Sequence, residues 1–96
     1  MMISFDDILQ EMSSLHKLKN ADYGNSFDKL LDNLKDDVPA ELVFFIRASD
    51  KLNRIKSLAK KDASIKEEKL YDTVIDLANY SAMFARWLKE NEVSKK

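Results

Sequence analysis

The sequence predicts an all-α antiparallel bundle of about four helices, in a single domain that spans residues 1–96. The whole chain contains one glycine and one proline, which leaves little room for the tight turns of β-hairpins. Apolar residues recur instead every three or four positions, the spacing that places them on one face of a helix. The two ends of the chain, residues 1–4 and 91–96, are predicted to be flexible.

Composition excludes several classes of protein. The chain has 16 basic and 17 acidic residues and a net charge of −1, which argues against a nucleic-acid binder. It has no cysteine, so it can form neither a disulfide framework nor a thiolate metal site. No apolar run is long enough to span a membrane, and residues 1–7 lack the basic and apolar regions of a secretory signal. We therefore expect a cytoplasmic protein that does not bind membranes.

The first two helices are separated by a polar turn. A first helix is predicted over residues 5–20, after a capping box formed by Ser4 and Asp7. Residues 21–26 hold the only glycine and are predicted to form the turn. A short second helix is predicted over residues 27–34.

The last two helices form the longer half of the chain. A third helix is predicted over residues 39–61, with Pro39 at its first position. A fourth helix is predicted over residues 64–90, because Ser64 and Glu67 have the spacing of a capping box.

Two apolar stripes are predicted to meet in the core. The stripe of the third helix consists of Phe44, Ala48, Leu52, Ile55 and Ala59. That of the fourth helix consists of Leu70, Val74, Leu77, Ser81, Phe84 and Leu88, which alternate spacings of four and three as in a coiled-coil seam.

Two aspartates are the most informative residues of the fourth helix. Between residues 70 and 88 only Asp72, Asp76 and Arg86 are charged, and the helix is apolar on almost every side. Both aspartates are therefore predicted to be buried. Buried carboxylates must be paired, protonated or bound to a metal ion, and oxygen ligands favour Mg²⁺ or Mn²⁺. The alternative is that Asp72 and Asp76 form ion pairs with cations across the helical hairpin.

Three cations of the third helix could supply those ion pairs. Arg47, Lys51 and Arg54 lie on one helical face with Asp50 between them. Next to a metal held by Asp50 and the acids of the fourth helix, such a ridge of cations would suit a polyphosphate. A solvated helix face is the simpler interpretation of the ridge taken alone.

Three stretches of the chain resemble a known family. They are KNADYGNSF at 19–27, RASDKLNRI at 47–55 and EKLYDTVIDLANY at 68–80. Together they resemble the nucleotide-modification-associated domain of phages and bacteria, a group that looks like a branch of the MazG-like all-α nucleotide pyrophosphohydrolases. The resemblance spans roughly residues 16–84.

This resemblance implies a homodimeric or larger bundle and a metal-dependent activity. In active MazG-like enzymes, acidic residues of two helices hold Mg²⁺, which activates water to cut a nucleoside triphosphate into a monophosphate and pyrophosphate. The catalytic and metal-binding residues carried over are Asp50, Glu68, Asp72 and Asp76. The nucleotide-binding residues, including the cationic ridge, are Lys19, Asp22, Tyr23, Arg47, Lys51, Arg54, Asn79 and Tyr80.

The chain departs from the active pattern of those enzymes in its acids. Asp50 stands alone where two pairs of glutamates are usual, and the acids of the fourth helix are spaced by four rather than three. The function predicted is therefore a metal-dependent nucleotide pyrophosphohydrolase or a nucleotide-binding domain. The alternative is a non-enzymatic dimeric adaptor, such as a phage protein that binds a host protein.

Overall fold

The computed structural model contains four helices and, among the residues that it describes, no β-strand. It describes residues 2–23 and 25–94, with side chains at 2–20, 25–62 and 66–91. The helices are α1 (Phe5–Tyr23), α2 (Ser26–Leu34), α3 (Ala40–Leu58) and α4 (Ala63–Ser94). The predicted all-α bundle is confirmed. No helix in the described part of the chain combines the length and the apolar character that crossing a membrane requires.

Helix α1 begins at the predicted capping box. Ser4 Oγ accepts a hydrogen bond from the backbone N–H of Asp7, and Asp7 Oδ2 accepts one from the backbone N–H of Ser4, each at 3.0 Å. These bonds satisfy two amides at the start of the helix. The helix ends at Tyr23, three residues later than the sequence predicts, so the predicted turn over residues 21–26 is too long.

Two asparagines set the direction of α2. Asn25 has a left-handed backbone with φ of 59°, which asparagine adopts more readily than most residues. Its backbone N–H donates to Asn20 Oδ1 at 3.1 Å, and Asn20 Nδ2 donates to Asn25 Oδ1 at 2.6 Å. This pair of bonds joins the last turns of α1 to the start of α2.

The boundaries of α3 and α4 differ from the predicted ones. Pro39 precedes α3 as its N-cap, with an extended ψ of 133°, and is not its first helical residue. The helix ends at Leu58, three residues before the predicted end. Helix α4 reaches Ser94, four residues beyond the predicted end, and the Ser64 side chain of the predicted capping box lies outside the described side chains.

The core lies where α2, α3 and α4 meet. Phe44 of α3 stacks on Phe84 of α4 at 4.8 Å between ring centroids, and Trp87 Nε1 donates to Asp32 Oδ1 of α2 at 2.9 Å. Phe44 facing Phe84 and Lys51 facing Asp76 show that α3 and α4 run antiparallel. The core cluster consists of Phe27, Leu31, Val43, Phe84 and Trp87.

The predicted stripes are only partly correct. On α4, Val74, Ser81 and Leu88 are exposed, and Thr73, Ile75 and Asn79 are buried instead. The predicted stripe of the third helix differs from the observed burial in the same way: Leu52 and Ala59 are exposed, and Val43 and Leu58 are buried. Because α4 carries apolar residues on several sides, its sequence pattern does not decide which side faces the other helices.

Candidate functional site

A cleft of about 250 Å³ opens where the end of α1 meets the start of α2 and the middle of α3 and α4. Three of the helices each contribute at least one cation to its lining. The lining residues are His16, Lys19 and Asn20 of α1, Asn25, Ser26, Phe27 and Asp28 at the start of α2, Lys51 of α3, and Asp76, Asn79, Tyr80, Met83 and Arg86 of α4.

Asp76 lies between two lysines in this cleft. Lys19 Nζ donates to its Oδ1 at 2.6 Å, and Lys51 Nζ donates to its Oδ2 at 3.4 Å. Each carboxylate oxygen therefore faces an ammonium group from a different helix. The Asp76 side chain is 25% exposed and that of Lys51 is 22% exposed, so this group of charges is partly shielded from water.

The two lysines also determine the protonation of Asp76. Burial by itself would raise the pKa of Asp76, but the hydrogen bond and charge of Lys19, together with the charge of Lys51, outweigh it. The pKa of this carboxyl is therefore lowered from its usual 3.8. Asp76 is a carboxylate at neutral pH, and its charge holds the two ammonium groups in place.

Tyr80 and Phe27 form the aromatic wall of the cleft. Their ring centroids are 5.1 Å apart and the ring planes meet at 88°, an edge-to-face pair. Lys51 Nζ lies 5.8 Å from the centroid of the Tyr80 ring, within the range of a cation–π contact. Lys51 is thus oriented by a carboxylate and an aromatic ring together.

A second ion pair lies on another side of the cleft. Arg86 of α4 donates to Oδ2 of Asp28 in the first turn of α2. The other carboxylate oxygen of Asp28, Oδ1, is buried and has no hydrogen-bond partner among the described residues. Asp28 therefore has an unused acceptor next to the cleft.

The first turn of α2 adds polar backbone groups. Asn25 makes no side-chain capping bond to this helix, since its amide pairs with Asn20. The N–H groups of a first helical turn have no partner within the helix and favour anions. Ser26, Phe27 and Asp28 occupy this turn and line the cleft.

The structure brings together five of the residues predicted for the site. These are Lys19, Lys51, Asp76, Asn79 and Tyr80. The predicted ion pairing of Asp76 with a cation of α3 is observed for Lys51, and Lys19 adds a cation that the pairing hypothesis had not included.

Other predicted site residues lie elsewhere. The prediction that Asp72 is buried is wrong. Asp72 is exposed, because it lies on a side of α4 that does not face another helix. Asp50 and Glu68 are also exposed, and none of these three acids lines the cleft. Arg47 and Arg54 of the cationic ridge are exposed and outside the cleft, whereas Asp22 and Tyr23 lie outside the described side chains.

The acids of the described chain do not fit a metal site. Among the side chains described, no three of the acidic, histidine or cysteine type lie together in a way that could hold a metal ion. Asp76 is the one predicted ligand that lines the cleft, and both of its oxygens face lysines. The arrangement is therefore suited to an anion rather than to a cation.

Several cleft residues escaped the sequence analysis. Asn20 and Asn25 lie at the end of α1 and in the turn after it, and Asp28 lies in α2, where the spacing of the sequence gives no sign of a site. Arg86 carries a usable signal, because it is the one basic residue in the mainly apolar stretch 70–88. A lone cation in an apolar helix needs a partner, and here the partner is Asp28.

Comparison with known proteins gives one match. Residues 19–85 match the family described as nucleotide modification associated domain 1. No curated protein and no solved structure is similar enough to the chain to count as a match. The matched stretch includes the last five residues of α1, all of α2 and α3 and most of α4, so it contains every residue that lines the cleft except His16 and Arg86. The chain therefore belongs to the family of nucleotide modification associated domain 1.

Proposed function

We propose that the chain binds a nucleotide in the cleft and holds its phosphate group with Lys19 and Lys51. The observation that carries this proposal is the convergence of these two lysines, from different helices, on Asp76. Two ammonium groups that share one carboxylate are already spaced to share the oxygens of one phosphate. Each ammonium has three N–H donors, so both retain donors for a ligand.

The charge of the cleft supports this proposal. Lys19, Lys51 and Arg86 line it together with two acids, Asp28 and Asp76. The cleft is thus locally positive in a chain whose net charge is −1. The free N–H groups at the start of α2 add to the attraction for an anion. An anionic ligand is therefore attracted to the cleft.

Family membership supports a nucleotide as that anion. The family is described by its association with nucleotide modification. The cleft also offers what a nucleoside needs beside a phosphate site, namely an aromatic ring at Tyr80 and the side-chain amide of Asn79. Sugar phosphates and inorganic phosphate would use mainly the lysines of the cleft.

Hydrolysis of a nucleoside triphosphate, as in the MazG-like enzymes, is the more specific form of the proposal. It requires Mg²⁺ or Mn²⁺ held by acids such as Asp50, Glu68 and Asp72 beside Asp76. In the described chain the first three acids are exposed and do not group with Asp76, so these residues do not fit a metal site. We therefore propose binding of the nucleotide and derive no hydrolytic step.

An adaptor function remains the second candidate, and one observation favours it. The outward side of α3 carries large apolar side chains, of which Phe45 is 65% exposed and Ile46 is 61% exposed. Such a surface is typical of a protein–protein contact. A dimer or an adaptor could use this surface while the cleft binds a nucleotide, so the two functions are compatible.

Thermal melting with and without ligand tests the proposal. A ligand that binds only the folded chain raises the melting temperature as its concentration increases. We expect deoxynucleoside monophosphates and triphosphates to do so in the presence of EDTA. Lys51→Gln should abolish the shift, whereas the matched variant Lys56→Gln, on the exposed side of α3, should retain it. A wild-type chain that no nucleotide stabilises would exclude nucleotide binding and leave the adaptor.

A further inference from the structure

A second cavity adjoins the cleft. It is a groove of about 280 Å³ whose side chains come from α1 and α4. Its lining is mainly apolar, with Leu9 and Met12 from α1 and Ala82 and Met83 from α4. Four residues line both the groove and the cleft, namely His16, Asn79, Met83 and Arg86. The two cavities are therefore adjacent, one cationic and one mainly apolar.

Asn79 stands at the junction of the two cavities with an unused amide. It is one of two buried polar residues of the described chain and is only 9% exposed. The other, Thr73, donates its hydroxyl to the Lys69 carbonyl at 2.7 Å. The side chain of Asn79 makes no hydrogen bond with any described residue, and its amide atoms are not among the fully buried atoms that lack a partner, so they remain accessible from the cavities. Its donors and acceptor are thus available to a ligand that enters either cavity.

We propose that the groove is the base subsite of the nucleotide, and that the amide of Asn79 recognises the edge of the base. This inference rests on the proposed phosphate site at Lys19 and Lys51. With the phosphate at the lysines, the nucleoside extends past Asn79 into the groove. There the base lies against Met12 and Met83, whose polarizable thioethers make favourable contacts with aromatic rings.

The chemistry of the amide specifies the class of ligand. An asparagine side chain presents one acceptor oxygen beside an N–H donor, so it pairs with a partner that offers a donor next to an acceptor. The edges of nucleobases offer such pairs, and asparagine uses them in reading bases. Inorganic phosphate and pyrophosphate lack them, and the hydroxyls of a sugar phosphate, which could also pair with an amide, do not suit the mainly apolar lining of the groove. The ligand is therefore a nucleoside phosphate, and its base contributes to affinity.

Binding measurements on three kinds of ligand test the base subsite. The ligands are inorganic phosphate, ribose 5-phosphate and a set of nucleoside monophosphates, each titrated by calorimetry against the full chain. We expect the wild type to bind the preferred nucleotide about tenfold or more tighter than ribose 5-phosphate, as one bidentate base contact provides. Asn79→Leu should remove this preference while leaving the affinity for inorganic phosphate unchanged.

Three further variants, one of them a control, make the test independent of the stability of Asn79→Leu. Ala82→Leu fills the groove from an exposed position and should also reduce the preference, whereas Ala85→Leu, exposed on the same helix and outside both cavities, should not. Asn79→Asp replaces the N–H donor by an acceptor. It should shift the preference towards guanine, whose Watson–Crick edge carries two adjacent donors.

The outcomes separate the base subsite from the phosphate site. Suppose that Asn79→Leu and Ala82→Leu bind the nucleotide as tightly as the wild type, whereas Lys51→Gln does not bind it. This result would overturn the base subsite and leave the proposed function standing. Equal affinities of the wild type for ribose 5-phosphate and nucleotides would also overturn it and assign the groove to another occupant. No binding of any of the phosphates would overturn both.

Discussion

The ammonium nitrogen of Lys19 lies 2.6 Å from Oδ1 of Asp76, although 57 residues separate them in the chain. This ion pair joins the last turns of α1 to the middle of α4 and forms one side of the cleft. Asp76 occupies the position between Lys19 and Lys51 that a phosphate would share. Under the proposed function, this carboxylate would compete with the phosphate for the same two cations.

This competition predicts the effect of removing the charge of Asp76. In Asp76→Asn the two lysines lose their shared anion. The affinity for inorganic phosphate in EDTA should therefore rise by about three- to tenfold, because a partly screened repulsion between the carboxylate and the phosphate is removed. A calorimetric titration measures this change. Asp72→Asn is the matched control, one turn away and exposed, and its affinity should equal that of the wild type. If Asp76 were instead a metal ligand, Asp76→Asn would weaken binding, and only when Mg²⁺ is present.

The same ion pairs predict how stability depends on pH. The pKa of Asp76 is lower in the folded chain than its usual 3.8, so the unfolded chain binds the proton more readily. The stabilisation is fully present above that usual value and is lost as the pH falls through the lower folded pKa. Urea unfolding of the wild type and of Asp76→Asn from pH 7 to pH 2 should show a difference that disappears only in the most acidic samples. A difference that grew on acidification would contradict this assignment.

The hydrogen bond between Trp87 and Asp32 predicts a local stability effect. The Trp87 indole is buried and donates to Asp32 Oδ1 at 2.9 Å, so it connects α4 to α2. Trp87→Phe keeps an aromatic ring but removes the donor, and should lower the free energy of unfolding by about 1–2 kcal/mol. Asp32→Asn retains a neutral acceptor and should cost less. Urea denaturation measures both, and additive losses in the double variant would show that the two side chains do not interact.

The apolar side of α3 predicts where two copies of the chain meet. The sequence predicts a homodimer, and the large exposed side chains Leu42, Phe45, Ile46 and Leu52 lie on the outward side of this helix. Light scattering should give about twice the chain mass of 11.1 kDa. Phe45→Glu should give the mass of one chain without loss of helix content, because the side chain is not needed in the core. The control Ser14→Glu, exposed on α1, should leave the mass unchanged. A dimer that survives Phe45→Glu would place the interface elsewhere.

Local sequence determined the helices of this protein and little about their contacts. The scarcity of glycine and proline and the helical spacing of apolar residues were sufficient for an all-α bundle, and the Ser4–Asp7 capping box fixed the start of α1. These features act within one or two helical turns, so they are visible without knowledge of the fold. The end of α1 was less predictable, because Asn20 bonds to Asn25 across the turn.

Tertiary structure decided which side chains form the site. Helix α4 is apolar on several sides, so its pattern allowed Asp72 and Asp76 to be equally buried, yet only Asp76 faces Lys19 and Lys51. Which face turns inward depends on the packing of α4 against α2 and α3, where Phe84 and Trp87 take the interior positions. The pairing of Lys19 with Asp76 requires α1 to lie beside α4, a relationship between distant segments that no local spacing encodes. The sequence thus named the kinds of charged and polar groups that line the site, and the packing of the helices selected the ones that share a cleft.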